Sequence, residues 1–334
     1  MRMNQAQAEG LLERMRGQRV AVLGDLMLDE YLFGEVSRIS PEAPVPVVRV
    51  TREHAVLGGA ANVAANLKSI GAEPLLMGTL QQDSAGARLQ GLLQGLGIGT
   101  AGLVLDSSRP TIIKTRVIGQ QQQMLRIDRE ETGCCPPAAV AALCAHLGDA
   151  LEQASALIIS DYAKGVVGPE LMERVRELCR VRGIPWIVDP KPAHAALYRG
   201  APLMTPNTKE LAELSGLPAR SDEEMAAAGH GLMQALELQG LLVTRSERGM
   251  ALFASDVKHR APWLIPTEAQ EVFDVSGAGD TVIAVFSAAI ATGADWQAAA
   301  MLANAAAGVV VGKIGTATAT PAELLRHYQD QHSD

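Results

Sequence analysis

The stretch EVFDVSGAGDTVIAVFSAAI, residues 271–290, runs from an apolar stub through Gly277-Ala278-Gly279-Asp280 into an alanine-rich segment of helical character. Small residues at a helix start let bare backbone N–H groups approach an anion, and the helix dipole favours negative charge there. Gly277, Ala278 and Gly279 are therefore candidates for an anion hole. Asp280 falls in the first helical turn facing that hole, where a carboxylate can take the proton of an attacking hydroxyl. For a bare Gly-Ala-Gly-Asp, a capped helix on a tight turn is an equal alternative.

A second constellation is Leu57-Gly58-Gly59-Ala60-Ala61-Asn62. Paired glycines let a ligand approach the backbone, and an asparagine offers both donor and acceptor to hydroxyl groups. A helix N-terminus packed closely on a sheet would explain the same residues.

These residues need elements to hold them. Residues 1–17 read as an amphipathic helix, and RVAVLG (19–24) as a buried first strand ending in glycine. VPVVRV (45–50), TIIKTRVIG (111–119) and MLRID (124–128) look like half-exposed strands of a small separate sheet, with QQQQ (120–123) as a hairpin turn. Beyond residue 130 strands at 156–161, 185–190, 202–207 and 241–246 alternate with helices at 136–154, 168–183, 207–216 and 222–239. That alternation predicts an α/β fold, a doubly wound and mostly parallel sheet with helices on both faces. Ligands of such sheets bind beyond the carboxyl ends of the strands, where Asp161, Asp189, Asn207 and Thr244 would converge.

Composition narrows the function classes. The chain has 334 residues, 48% hydrophobic and 20% charged, enough for one large domain with a packed core. A net charge of −8 and only 3% aromatic residues argue against nucleic-acid binding. Charges and glycines break every long apolar run, and Glu9 and Glu13 interrupt the N-terminus, so neither a membrane span nor a signal-peptide core is expected. Cys134, Cys135, Cys144 and Cys179 lack zinc-site spacing, and an adjacent pair is a poor disulfide, so reduced thiols in a cytoplasmic protein are expected.

The string Asp274-Val275-Ser276-Gly277-Ala278-Gly279-Asp280 resembles the D-T-x-G-A-G-D signature of the ribokinase-like, or PfkB, carbohydrate kinases, with Val275 in place of the usual threonine. GGAANVAANL (58–67) matches that family's second signature. SRISPEAPVPVV (37–48), SDYAKG (160–165), DPK (189–191), TPN (205–207), LVTRSERGM (242–250) and ANAAAGVVVGKIGT (303–316) extend the similarity from about residue 17 to 325, toward the heptose-7-phosphate kinases of lipopolysaccharide-core biosynthesis. The resemblance implies a ribokinase-like domain over 1–334 with a small β-sheet lid, its strands within about 31–50 and 111–128. It implies ATP as co-substrate, Mg²⁺ as cofactor, Asp280 as base, and pairing of lids into a homodimer. Many such kinases carry a C-terminal nucleotidyltransferase with an H-x-G-H motif. This chain has no such motif, so the resemblance is to a stand-alone kinase or a kinase half.

Carried over residue by residue, the resemblance places Asp29, at the end of the first strand, together with Gly58, Gly59 and Asn62, on the sugar. It places Asn207, Thr208, Lys209, Glu210, Thr244, Ser246, Gly249 and Asn304 around ATP. Magnesium keeps several waters, so Glu210, Asp161 and Asp189 are expected to act on it through water. Each could instead cap a turn. An acceptor that already bears a phosphate needs cations. Arg116, Arg126, Lys164 and Lys191 are the candidates, with Arg116 and Lys191 the expected pair. Another sugar or sugar-phosphate kinase of the same fold is the alternative. A dehydrogenase is disfavoured because no G-x-G-x-x-G follows a strand. A catalytically silent relative would have no need of Asp280.

Overall fold

The computed structural model describes residues 3–120, 122–255, 261–269, 272–313 and 315–330. Gln121 of the expected hairpin turn, Glu271, Ile314 and the first two residues of the expected opening helix lie outside them. Strands run β1 Arg19–Gly24, β2 Leu26–Ile39, β3 Pro46–Gly59, β4 Glu73–Leu80, β5 Gly102–Leu105, β6 Ile112–Gly119, β7 Gln122–Arg129, β8 Ala156–Ser160, β9 Trp186–Asp189, β10 Leu203–Met204, β11 Gly240–Thr244, β12 Met250–Ala254 and β13 Trp263–Ile265. Helices run α1 Gln5–Met15, α2 Ala60–Ser69, α3 Ser84–Gly95, α4 Pro137–Ala150, α5 Pro169–Arg182, α6 Thr208–Ser215, α7 Asp222–Leu236, α8 Ala278–Ala291, α9 Trp296–Val311 and α10 Pro321–Asp330.

Among the described residues the large sheet has nine strands in the order β13-β12-β11-β10-β9-β8-β1-β4-β5. All neighbours from β11 to β5 pair in parallel, and only the β11–β12 and β12–β13 pairings are antiparallel. Its central strands are continuous apolar runs because both faces are covered. Alternation decides which face each side chain joins. Val20, Val22, Ile158 and Ile187 pack with residues of α1, α2, α3, α8, α9 and α10. Ala21, Leu23, Leu157, Ile159 and Val188 pack with α4, α5, α6 and α7. Helix α8 is apolar all round, buried from Asp280 to Ala289. This is the pattern of a helix inside a core, and it fixes the helix that carries the candidate base.

The second sheet, in the order β3-β2-β6-β7, differs from its expected outline. The first strand stops at Gly24. The chain turns at Asp25 into β2, so Asp29 lies on β2 and not at the end of β1. Strand β2 pairs with the whole of β3, which runs on well past the expected 45–50. Polar residues interrupt the alternation from Asp29 to Ser40, which hides β2 in the sequence. The 202–207 strand shrinks to Leu203–Met204, because Pro206 has no N–H to give a ladder and Asn207 caps α6. The expected hairpin is present as β6 and β7.

Register puts a set of charges on one face of this sheet. Asp29 pairs with Lys114 and Tyr31 with Arg116 across β2–β6, while Lys114 faces Asp128 and Arg116 faces Arg126 across β6–β7. Residues opposite one another share a face.

At the junction of the sheets Gly59 has φ +56°, and a Cβ there would sit 2.4 Å from the Asp25 carbonyl oxygen. Gly59→Ala should therefore lower stability by about 1–3 kcal/mol. Gly91 in α3 has nothing within 4 Å of a Cβ, so Gly91→Ala should raise stability by about 0.5–1 kcal/mol. Urea unfolding of both variants checks the contrast, and equal midpoints would refute the reading of Gly59.

Candidate active site

The carboxyl ends of β8, β9, β10 and β11 meet the start of α8 at a cavity of about 180 Å³. Tyr162, Asp189, Lys191, Asn207, Glu210, Thr244, Gly277, Gly279 and Asp280 are among its lining residues. A larger cavity of about 860 Å³ lies at the other end of the sheet, between β12, β13 and the start of α9, and holds none of these groups.

Asp280 is 4% exposed, and both of its oxygens are held. Asn62 Nδ2 on α2 donates to Oδ2 at 2.7 Å, and the Tyr162 hydroxyl donates to Oδ1 at 2.8 Å. Burial pushes the carboxyl up to about 6, with Asp29 acting the same way. The two hydrogen bonds and Lys191 oppose the rise. The result is a base that is ionised at neutral pH and still basic enough to accept a proton. Gly277 caps α8 at φ +77°, and a Cβ there would meet Asn62 Nδ2 at 2.8 Å. A Cβ on Gly279 would meet nothing within 4 Å, so the cavity stays open above the helix start. The Ala278 N–H already donates to Val275 O at 3.2 Å, whereas those of Gly277 and Gly279 make no hydrogen bond among the described residues.

Tyr162 went unnoticed in the sequence, and its position is built by Asp25. That carboxylate is 1% exposed and accepts the N–H groups of Tyr162, Lys164 and Val166 at 2.9, 3.0 and 3.1 Å. Asp161 fixes the same turn. It is fully buried and accepts Ala163 N–H, the Tyr198 hydroxyl and the His194 ring, each at 2.6 Å. These donors take both of its oxygens, and it is not among the residues that line the cavity. Arg109 completes the turn, donating to Lys164 O at 2.9 Å while paired with Asp106 at 2.8 Å.

Asp29 pairs with Arg116 at 2.7 Å and lies against Gly58, where a Cβ would sit 2.6 Å from its Oδ2. Lys191 is bonded to Glu210 at 2.6 Å, and both line the cavity. Glu210 and Asn207 form a capping box on α6, so the N-x-x-E spacing serves the helix as well as the cavity. Asp189 is pushed well up by burial, with Lys191 opposing. The Lys209 side chain is 86% exposed and lies 3.8 Å from Glu213. Thr208 is half-buried in the first turn of α6. Ser246 and Gly249 form the turn after Thr244. Asn304 is buried and donates to Pro266 O at 2.8 Å, holding the segment after β13. Arg126 pairs with Asp128 and Lys164 with Glu130.

Residues 18–323 match the family model of the pfkB family carbohydrate kinases. The chain belongs to that family. This kinase is 45% identical over 313 residues to the bifunctional protein HldE of Desulfatibacillum aliphaticivorans, covering 94% of this chain and 63% of that one. It is 44% identical over 334 residues to bifunctional HldE of Geobacter sulfurreducens, covering 99% and 67%. The chain thus spans about two thirds of the length of these relatives. In fold the kinase is similar to Arabidopsis thaliana ribokinase complexed with ribose and ATP, at TM-score 0.75 and 20% identity over 94% of this chain and 99% of that one. It is also similar to Escherichia coli phosphofructokinase-2, at TM-score 0.77 and 18% identity with the same coverage. The ribokinase-like α/β fold expected from the sequence is the fold of this chain.

Replacing Tyr162 by Phe removes a donor that favours the ionised form of Asp280. The carboxyl should then titrate higher, and because the base must be ionised to work, activity should fall more at pH 6 than at pH 8. The acid limb of kcat/KM should move up by about one pH unit. A pH profile of the variant that keeps the parent's acid limb would show that Tyr162 does not bear on the base.

Proposed function

We propose that this kinase transfers the γ-phosphate of ATP to the anomeric hydroxyl of D-glycero-D-manno-heptose 7-phosphate, giving the 1,7-bisphosphate, as a step toward ADP-heptose for the lipopolysaccharide core. The observation that carries phosphoryl transfer is Asp280, buried in the first turn of α8 with both oxygens held and its basicity raised. The heptose assignment is supported by the blocks SRISPEAPVPVV and ANAAAGVVVGKIGT and by relatives at 44–45% identity.

In this reading the acceptor hydroxyl approaches Asp280 and loses its proton to the carboxylate as its oxygen bonds to the γ-phosphorus. The β–γ bridging bond breaks, and its electrons leave on ADP. The first-turn N–H groups at Gly277 and Gly279 face the transferred group, and Lys191 adds positive charge. Among the described residues no three His, Cys, Asp or Glu side chains form a metal cage. That fits Mg²⁺, which keeps several waters and takes phosphate oxygens as ligands. Glu210 and Asp189, which line the cavity, would hold its waters. The ion would neutralise the phosphates.

The second sheet would act as the acceptor's lid and as the seat of a homodimer. Strand β7 is exposed throughout, and Leu125 and Ile127, on the face away from Arg126 and Asp128, are 49% and 51% exposed. Apolar groups on an edge strand call for a cover, and a second copy supplies one. A cytoplasmic location agrees with the absence, among the described residues, of a helix long and apolar enough to cross a membrane.

ATP consumption should be far faster with heptose 7-phosphate than with fructose 6-phosphate or ribose. Asp280→Asn should lower kcat by at least about 10²–10⁴-fold while ATP still binds. Equal turnover of the three acceptors would overturn the heptose reading, and near-normal kcat in the variant would overturn the role of Asp280. In sedimentation, Leu125→Glu combined with Ile127→Glu should convert a dimer to a monomer, and an unchanged sedimentation coefficient would refute the lid interface.

A further inference from the structure

Among the described residues, four cations around the cleft are committed to carboxylates of the chain. Arg116 is bonded to Asp29, Arg126 to Asp128, Lys164 to Glu130 and Lys191 to Glu210. Lys114 is half-buried on β6, and its side chain makes no hydrogen bond or ion pair among the described residues. Its two cross-strand neighbours, Asp29 and Asp128, are each taken by an arginine. What remains is the face of the Tyr162 ring, 5.1 Å from Nζ. Burial lowers the basicity of this ammonium. Asp29 and Glu130 oppose that, whereas Lys164 and Arg126 add to it. An ammonium partly withdrawn from water beside two other cations is a poor arrangement for stability alone. It is a good arrangement for an anion that arrives with the ligand.

We propose that Lys114 binds the phosphate which the acceptor already carries, and thereby sets which end of the acceptor reaches Asp280. The inference rests on the sugar-phosphate reading above and names the residue behind it. Tyr162 supplies the spacing. Its ring meets Lys114, and its hydroxyl meets Asp280 at 2.8 Å. A phosphate on Lys114 and a hydroxyl at Asp280 are then separated by the depth of a cation–π contact and part of a phenol ring. That separation suits a sugar phosphorylated at the far end of its carbon chain. A phosphate next to the reacting hydroxyl does not span it. Lys191, expected from the sequence to share this task, sits instead with Glu210 beside the helix start, 5.3 Å from the same ring.

The test is the ratio of kcat/KM for heptose 7-phosphate to that for unphosphorylated heptose, in the parent, Lys114→Met, Lys114→Gln and Lys191→Met. The parent should strongly prefer the phosphorylated acceptor. Both Lys114 variants should lose about 10- to 100-fold of that preference, chiefly through the KM of the phosphorylated acceptor. Lys191→Met should lower kcat on both acceptors and keep the ratio. Thermal melts confirm that each variant is folded. A parental ratio retained in both Lys114 variants would overturn the assignment and leave the sugar-phosphate reading standing. So would a ratio that collapses in Lys191→Met instead. A parent that does not distinguish the two acceptors would overturn the reading itself, and the inference with it.

Discussion

A single buried carboxylate, Asp25, organises the site without touching the reaction. Among the described residues it has no cation partner, and its charge is met by three backbone N–H groups from the loop after β8. Burial and nearby Asp161 push its carboxyl up, and only those three donors act against them. Removing the carboxylate would leave three buried N–H groups unpaired, each costing about 1–3 kcal/mol. Its main chain is equally occupied. The Asp25 N–H donates to Ser160 O, and the Asp25 carbonyl accepts from Ala60 N–H at the start of α2. One residue therefore locks the ends of β1 and β8, the first turn of α2 and the loop that carries Tyr162.

Both hydrogen-bond donors to Asp280 descend from that lock. Asn62 sits in the first turn of α2, two residues past Ala60. It is steadied by Asn66, whose Nδ2 donates to Asn62 O at 2.9 Å and whose Oδ1 accepts the Thr281 hydroxyl at 2.7 Å. Tyr162 is the first residue of the Asp25-bound loop. The base is thus gripped from two elements that share an anchor, while its own helix is fixed by apolar packing on every side. A carboxylate held this way would lose little entropy on reaching a working geometry.

How much of this was legible in the sequence follows from the range of each interaction. Asp280 and the small residues around it are local: a turn, a helix start and a carboxylate within four positions, readable as chemistry before any fold is known. The parallel sheet was legible from its alternation of apolar runs and helices. Asn62 stood out in the sequence, but its bond to Asp280 did not, since that partner lies 218 positions away. Tyr162 and Lys114 were missed for the same reason. A lone tyrosine says nothing until Asp25, 137 positions earlier, has folded its loop. Lys114 did leave a trace. It lies two residues from Arg116 on a strand that alternates, which puts both on one face. The bonds of Asp161 to Tyr198 and His194 were not legible, because a polar residue at a strand end can point into the cleft or beneath it.

The pairing of the remaining cleft cations has a consequence for the chemistry. Arginine and lysine carry long side chains with about 2 kcal/mol of rotamer entropy each, and an ion pair fixes them before any ligand arrives. Arg116 and Lys191 are therefore aimed in advance, but an incoming anion must share each with Asp29 or Glu210. Such a cation orients more than it attracts. In the proposal above, attraction falls to a charge with no carboxylate partner among the described residues, the Lys114 ammonium on the Tyr162 ring. The acidic chain, at −8 overall, adds no long-range pull on a phosphorylated acceptor. Recognition of the acceptor is then a matter of distance between two fixed points, an unpaired cation and a doubly held base. Tyr162 touches both.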